Sequence, residues 1–195
     1  MTVANQIVPM IARLAASRGP ALTWYSVSGE RIELSGPVLA QWVAKVSHLL
    51  LDIGAEPGET VAVDLGADWR APMVWLAAWW DGLLVSDHGD DGDGGDQARR
   101  PDYAVVREDR VSGATAGSVS ADCLVVVPTA ALAPAVSRLP AGATDFATAR
   151  SFPDQPPPAA HETTAPLLDG GQAGRILLGP SSAPAELLAV WSGGG

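Results

Sequence analysis

The sequence predicts an α/β domain built in three layers, with helices flanking a largely parallel sheet. Three observations predict it. Short, strongly apolar runs ("TVAVDL", "LLVS", "YAVV", "CLVVV") alternate with longer segments of helical period, as strands buried on both faces do. The chain has 195 residues, 47% of them hydrophobic, which suits a single domain with a substantial core. Its 21 glycines and 16 prolines imply many connections and short elements.

Ile7, Met10, Ile11 and Leu14 recur at helical spacing, so residues 3–17 read as an amphipathic helix that ends at Gly19-Pro20. "ALTWY" and "RIEL" read as a hairpin turning at Val27-Ser28-Gly29. Residues 36–53 give the clearest helix, with Ser35 as N-cap. Val38, Leu39, Trp42, Val43, Val46, Leu49, Leu50 and Ile53 make its apolar face, and Gln41, Lys45, His48 and Asp52 the opposite, solvated one. Gly54 is placed to close this helix in a left-handed conformation. Pro57-Gly58 fits the centre of a type II turn. "TVAVDL" follows as a buried strand, residues 68–81 as a second large helix ended by Gly82, and "LLVS" as a strand.

"YAVV" and "CLVVV" are further strands. "VPTAALAPAVSRLP" reads as a short helix broken by prolines, and "ATDFATARSF" as another short element. The loop 153–166, "PDQPPPAAHETTAP", has polyproline character and reads as a surface connection; recruitment of a proline-binding module is the alternative. "RILL" is a strand candidate, and 183–191 a final helix with Pro184 in its first turn. There is no repeat of about 20–50 residues. One domain is therefore expected to span 1–195.

Composition excludes several function classes. The net charge is −10 and the pI about 4.5, so neither nucleic acid nor an anionic membrane surface is an expected partner. Lys45 is the only lysine. Cys123 is the only cysteine, so no internal disulfide can form, and its place in "DCLVVV" fits a buried structural thiol rather than a nucleophile. The start of the chain lacks a signal-peptide pattern, and no apolar run approaches the ~18 residues of a membrane span. A cytoplasmic protein is expected.

The segment 87–102 is acidic and glycine-rich, with "HGDDGDGGD" at 88–96. No register of it meets the EF-hand requirement for acids at positions 1, 3 and 5 with glycine at 6. A loose carboxylate site for Ca²⁺ or Mg²⁺, or a stray transition metal on Asp87, His88 and Asp90, is the alternative to a solvated loop. Glycine-rich, carboxylate-rich segments resist packing, which favours the loop. His161 stands alone, without the clustered partners zinc needs. Trp69, Trp75, Trp79 and Trp80 crowd one helix and read as core packing, or as an anchor on a partner-binding surface.

Residues 20–86 carry a resemblance. "ALTWYSVSGERIELS", "LAQWVAKVSHLLLDIGAEPGETVAVDL" and "DWRAPMVWLAAWWDGLLV" resemble, in order and spacing, the opening hairpin, first large helix, "L..LG..PGD.VAV" turn and next helix of the adenylate-forming, AMP-binding acyl-CoA synthetase superfamily. "ATDFATARSF" and "RILLGPSSAPAELLAVWSGGG" are similar to a short subfamily of it from high-GC bacteria. The resemblance implies the fold of the N-terminal part of those enzymes. It also implies chemistry this chain does not supply: a Ser/Thr/Gly-rich loop ending "G-x-P-K-G" and a second lysine in a mobile C-terminal domain. No lysine follows position 45, and "GPSSAP" (179–184) has neither Thr-Gly nor Lys. Neither a "G-x-S-x-G" elbow nor a P-loop occurs.

No catalytic, cofactor-binding or metal residue is therefore assigned, and no cofactor is expected. The resulting expectation is a non-catalytic, truncated relative acting as an accessory or binding protein, with a protein partner or a second copy. The alternatives are a split ligase, whose missing lysines come from another polypeptide, and a decayed fragment.

Overall fold

The computed structural model describes residues 4–87, 100–112 and 121–159. Helix α1 (Ala4–Ala16) leads into an antiparallel hairpin, β1 (Pro20–Tyr25) and β2 (Arg31–Ser35), and then α2 (Gly36–Asp52). Strand β3 (Thr60–Asp64), α3 (Ala71–Trp80) and β4 (Leu84–Asp87) follow, then β5 (Tyr103–Arg107) and a short α4 (Glu108–Ser112). The described part closes with β6 (Cys123–Val127), β7 (Thr144–Asp145) and a 3₁₀ helix, Phe146–Ser151. The strands lie in the order β4-β3-β5-β6-β7, and every pairing is parallel. This is the flanked parallel sheet that the apolar runs predict.

Alternation along the strands divides the core. Val61, Val63, Tyr103, Val105, Val125 and Val127 join the main cluster with the helices α1, α2 and α3. Ala62, Ala104 and Val106 form a smaller cluster on the other face, with Val111 of α4 and Leu124 against it. Helix α3 is buried on nearly every side, so it carries no single apolar stripe. Trp69, Trp79 and Trp80 are buried and Trp75 half-buried, the core packing expected of this tryptophan cluster.

Glycine is required at two kinds of place. Gly54 (φ +95°) and Gly58 (φ +90°) occupy the left-handed conformations expected after α2 and in the Pro57-Gly58 turn. Gly36 is needed for closeness. A Cβ there would lie 2.0 Å from the Leu14 carbonyl oxygen, where the end of α1 meets the start of α2. Ser35 precedes α2 with extended backbone but makes no side-chain cap bond.

Three expectations are corrected. Helix α3 starts at Ala71 rather than 68, because the Asp68 carboxylate accepts from the Arg70 backbone N–H and forms a turn first. "VPTAALAPAVSRLP" forms turns and bends instead of a helix. Its backbone is satisfied by distant side chains: Arg150 donates to the carbonyls of Ala133 and Pro134, Asp145 accepts from Val136 N–H, and Glu108 from Arg138 N–H. "ATDFATARSF" is short, as expected, and resolves into β7 and the 3₁₀ helix, capped by Asp145 accepting from Ala147 N–H at 2.8 Å.

The third correction concerns the solvated face of α2, where Gln41 and Asp52 are exposed as expected but Lys45 and His48 are not. Residues 150–157 lie across it. Lys45 Nζ donates to the Phe152 carbonyl (2.5 Å), His48 Nε2 to that of Gln155 (3.0 Å), and Trp80 Nε1 to that of Pro157 (2.9 Å). The proline-rich segment is thus packed on the body as far as residue 159. Its remainder with His161, the 175–191 elements and residues 88–99 of the acidic loop lie outside the described residues. The end of that loop is tied to the start of β3 by Asp102, whose carboxylate accepts from both Thr60 N–H and Oγ1 at 2.7 Å. Among the described residues no helix is long and apolar enough to cross a membrane.

Candidate functional site

In open parallel sheets, ligands sit beyond the carboxyl ends of the strands, near the point where strand order reverses. Here β3 is flanked by β4 on one side and β5 on the other, so the reversal falls between β3 and β5. Beyond the exits of β3 and β6 is a pocket of about 250 Å³. Its walls come from four places: Ile32 and Leu34 of the hairpin, Trp42 of α2, Trp69-Arg70 before α3, and Phe146 with Arg150 of the 3₁₀ helix. Ala131 and Leu132 of the loop after β6 close it. Leu132 is 75% exposed, a large apolar side chain at the pocket's edge.

Three aromatic rings shape the interior. Trp42 stacks on Phe146, with centroids 6.2 Å apart and planes at 10°. It meets Trp69 edge-on at 6.3 Å. Trp69 is fixed by its own indole N–H, which donates to the Ala131 carbonyl at 3.1 Å.

The polar element is a guanidinium. Arg70 is 3% exposed. Its Nε and Nη2 grip the Asp68 carboxylate, each at 2.7 Å, and Nη2 also donates to the Pro128 carbonyl at 2.7 Å. Its guanidinium carbon lies 5.5 Å from the Trp69 ring centroid. Nη1 makes no hydrogen bond to a described residue. This is a strong, bidentate, buried pair with donor capacity left over. The arrangement suits a small flat or branched apolar body carrying an acceptor group.

A second, open depression of about 700 Å³ adjoins it, bordered by Glu108, Asp109, Thr129, Ser137 and Arg138. Its carboxylates are occupied with structural tasks. The Ser137 hydroxyl and the backbone of Arg138 hold the Glu108 carboxyl below its ordinary range, and Arg107 does the same for Asp109. Elsewhere, Cys123 is half-buried on β6 and burial pushes its thiol up, away from nucleophilic character.

Of the residues singled out in the sequence, only Trp69 lines the pocket. Lys45 and His48 are engaged with residues 150–155. Trp42, Arg70, Phe146 and Arg150 were not singled out as site residues. The string "DWR" after a strand is the one local signal, an acid two residues before an arginine. The rest is long-range packing across more than a hundred residues of chain.

Similarity to known proteins bears on the fold. No family model matches the chain. A "TIGR03089 family protein" of Mycobacterium tuberculosis is 36% identical over 167 residues, covering 82% of this chain and 63% of the relative. Among solved structures, an acyl-CoA synthetase of Brucella canis superposes with a TM-score of 0.65 at 21% identity, over 81% of this chain and 29% of that one. An acetoacetyl-CoA synthetase from Streptomyces lividans gives 0.62 at 19%, over 77% and 26%. An anthranilate CoA ligase bound to anthranoyl-AMP gives 0.59 at 13%, over 84% and 30%. The chain thus spans less than two thirds of this curated relative and less than a third of each of these three solved structures.

Proposed function

We propose, from a fold that is that of the N-terminal portion of the acyl-CoA synthetases, that this chain is a binding or accessory protein that does not adenylate by itself. Its pocket is read as a site for a small carboxylic acid with a planar or branched apolar body. The observation that carries this reading is the buried Arg70 guanidinium beside three aromatic walls. Such a site offers the remaining Nη1 donor of Arg70, whose charge Asp68 already balances, to an oxygen of the acid and holds its body by apolar contact. At about 250 Å³ it lies just below the usual range of ligand pockets and suits only small ligands. ATP turnover needs cations on the phosphates. The single lysine of this chain is ion-paired with Asp154 and donates to the Phe152 carbonyl.

The test is thermal stability of the purified chain with a panel of aryl and short branched acids, Mg-ATP, AMP and CoA. A ligand at 100 times its Kd adds about 2.7 kcal/mol to a folded state that alone binds it. A shift with an acid that disappears in Arg70→Met and in Trp42→Ala, each still melting cooperatively, supports the reading. A shift with AMP or ATP overturns it in favour of a ligase completed by a second polypeptide. No shift with any compound, in a chain that melts cooperatively, removes the acid site.

A further inference from the structure

Helices α2 and α3 present three side-chain donors to residues 152–157. Lys45 and His48 lie about one turn apart on α2, and Trp80 ends α3. None of the three is spent on a side-chain amide or hydroxyl of the segment above. Each donates to a main-chain carbonyl, at Phe152, Gln155 and Pro157 in turn. Two further contacts add selectivity. Lys45 pairs with the Asp154 carboxylate at 2.7 Å, and the His48 ring stacks on Phe152 with centroids 6.1 Å apart and planes at 17°.

The segment above has the matching character. Phe152 has φ −83° and ψ 161°, the polyproline II region. Pro156, Pro157 and Pro158 follow, with preset φ and no N–H to satisfy. An extended proline-bearing strand read through its carbonyls by an indole N–H and neighbouring donors is a recurrent recognition mode, cheap in entropy because the ligand is preordered. With the segment in place the reading surface is largely covered: Trp80 is 9% exposed and the Lys45 side chain 18%. The indole N–H and the ammonium are there matched to main-chain acceptors.

We propose that the α2–α3 face is a docking surface for an extended proline-rich segment of the pattern aromatic-Pro-acid-x-Pro-Pro. Residues 152–157 fill it in cis, and the same pattern on another polypeptide takes their place when the cis segment is displaced. The proposal is independent of the acid pocket.

The probe is a synthetic peptide of residues 150–159. Its binding is followed by tryptophan fluorescence and calorimetry on three versions of the full chain: unaltered, with residues 152–158 replaced by a Gly/Ser stretch, and with that replacement plus Trp80→Phe. A tethered segment competes at roughly millimolar effective concentration, so the unaltered chain should bind the peptide about ten- to a hundredfold more weakly than the opened chain. Trp80→Phe should weaken binding to the opened chain, and a peptide with its prolines replaced by glycine should not bind. If the Gly/Ser chain does not melt cooperatively, the milder double variant Asp154→Ala/Pro157→Ala takes its place with the same peptide. A cooperatively melting opened chain that ignores the peptide overturns the proposal. So does equal binding of the glycine-substituted peptide. A monomer-to-dimer change on opening, with no peptide binding, would instead assign the face to self-association and also overturn it.

Discussion

Replacing Asp81 by asparagine should remove a pH dependence from the stability of this protein. Asp81 closes α3 at the end where the helix dipole is negative, a poor place for an anion. It is 4% exposed. One carboxylate oxygen accepts from Ser47 Oγ of α2 at 2.6 Å, and the other has no hydrogen-bond partner among the described residues. Burial pushes its pKa from 3.8 up to about 7, and the Ser47 bond pulls only weakly the other way. The folded chain therefore holds this proton more tightly than the unfolded chain. Stability from this group is complete below about pH 4, falls as pH rises to about 7, and stays low beyond. A shift of about three units at 1.36 kcal/mol each amounts to about 4 kcal/mol across that window.

Asparagine keeps an acceptor for Ser47 and cannot ionise. Its unpaired amide N–H costs roughly 1–3 kcal/mol at every pH. Above pH 7 the variant should still equal or exceed the parent, while near pH 4.5 the parent should be the more stable. Urea midpoints at half-unit steps from pH 4.5 to 8 test this, because the parent-minus-variant difference cancels the other titrating groups. A difference that does not change with pH would refute the reasoning.

Gly36→Ala should destabilise by at least the 1–3 kcal/mol typical of overpacking, read from urea unfolding, because the added methyl meets the Leu14 carbonyl at 2.0 Å. Arg70→Met should cost about 3–5 kcal/mol by leaving the Asp68 carboxylate buried and unpaired; the double variant with Asp68→Leu should recover part of that loss in a thermal melt. Trp42→Ala should cost about 3–5 kcal/mol if its site stays rigid, and less if the pocket collapses; hydrogen exchange around Phe146 should rise in either case. Thr60→Val should weaken the clasp on Asp102 by about 1 kcal/mol or more and raise hydrogen exchange at the start of β5.

The sheet was legible because its strands are buried on both faces and so must be apolar throughout, as in "TVAVDL" and "CLVVV". The turns were legible where φ must be positive, at Gly54 and Gly58. Helix α2 was legible on its apolar side only. Its other side holds polar residues, and polarity is compatible with water or with a bound main chain. Lys45 and His48 meet the second, which the sequence does not distinguish from the first. "VPTAALAPAVSRLP" has helical composition, but its bonds go to Arg150, Asp145 and Glu108, which are remote or of unrelated pattern. The pocket was illegible for the same reason. Trp42, Arg70 and Phe146 carry no mutual spacing in the chain, and only the crossing of α2, the β6 exit and the 3₁₀ helix brings them together.

The clasp between Lys45 and Phe152 also has a consequence for the order of folding. It closes a chain loop with a separation of 107 residues. Contacts that distant are paid for in loop-closure entropy before they return anything, whereas α1 with α2 and the β1–β2 hairpin are near neighbours. The helical layer and the inner strands should therefore assemble first, with the α2–α3 face bare. On the ribosome that interval lasts until residue 157 has emerged, at about 5–20 residues per second. Throughout it, the growing chain carries an indole and an ammonium group awaiting a carbonyl partner.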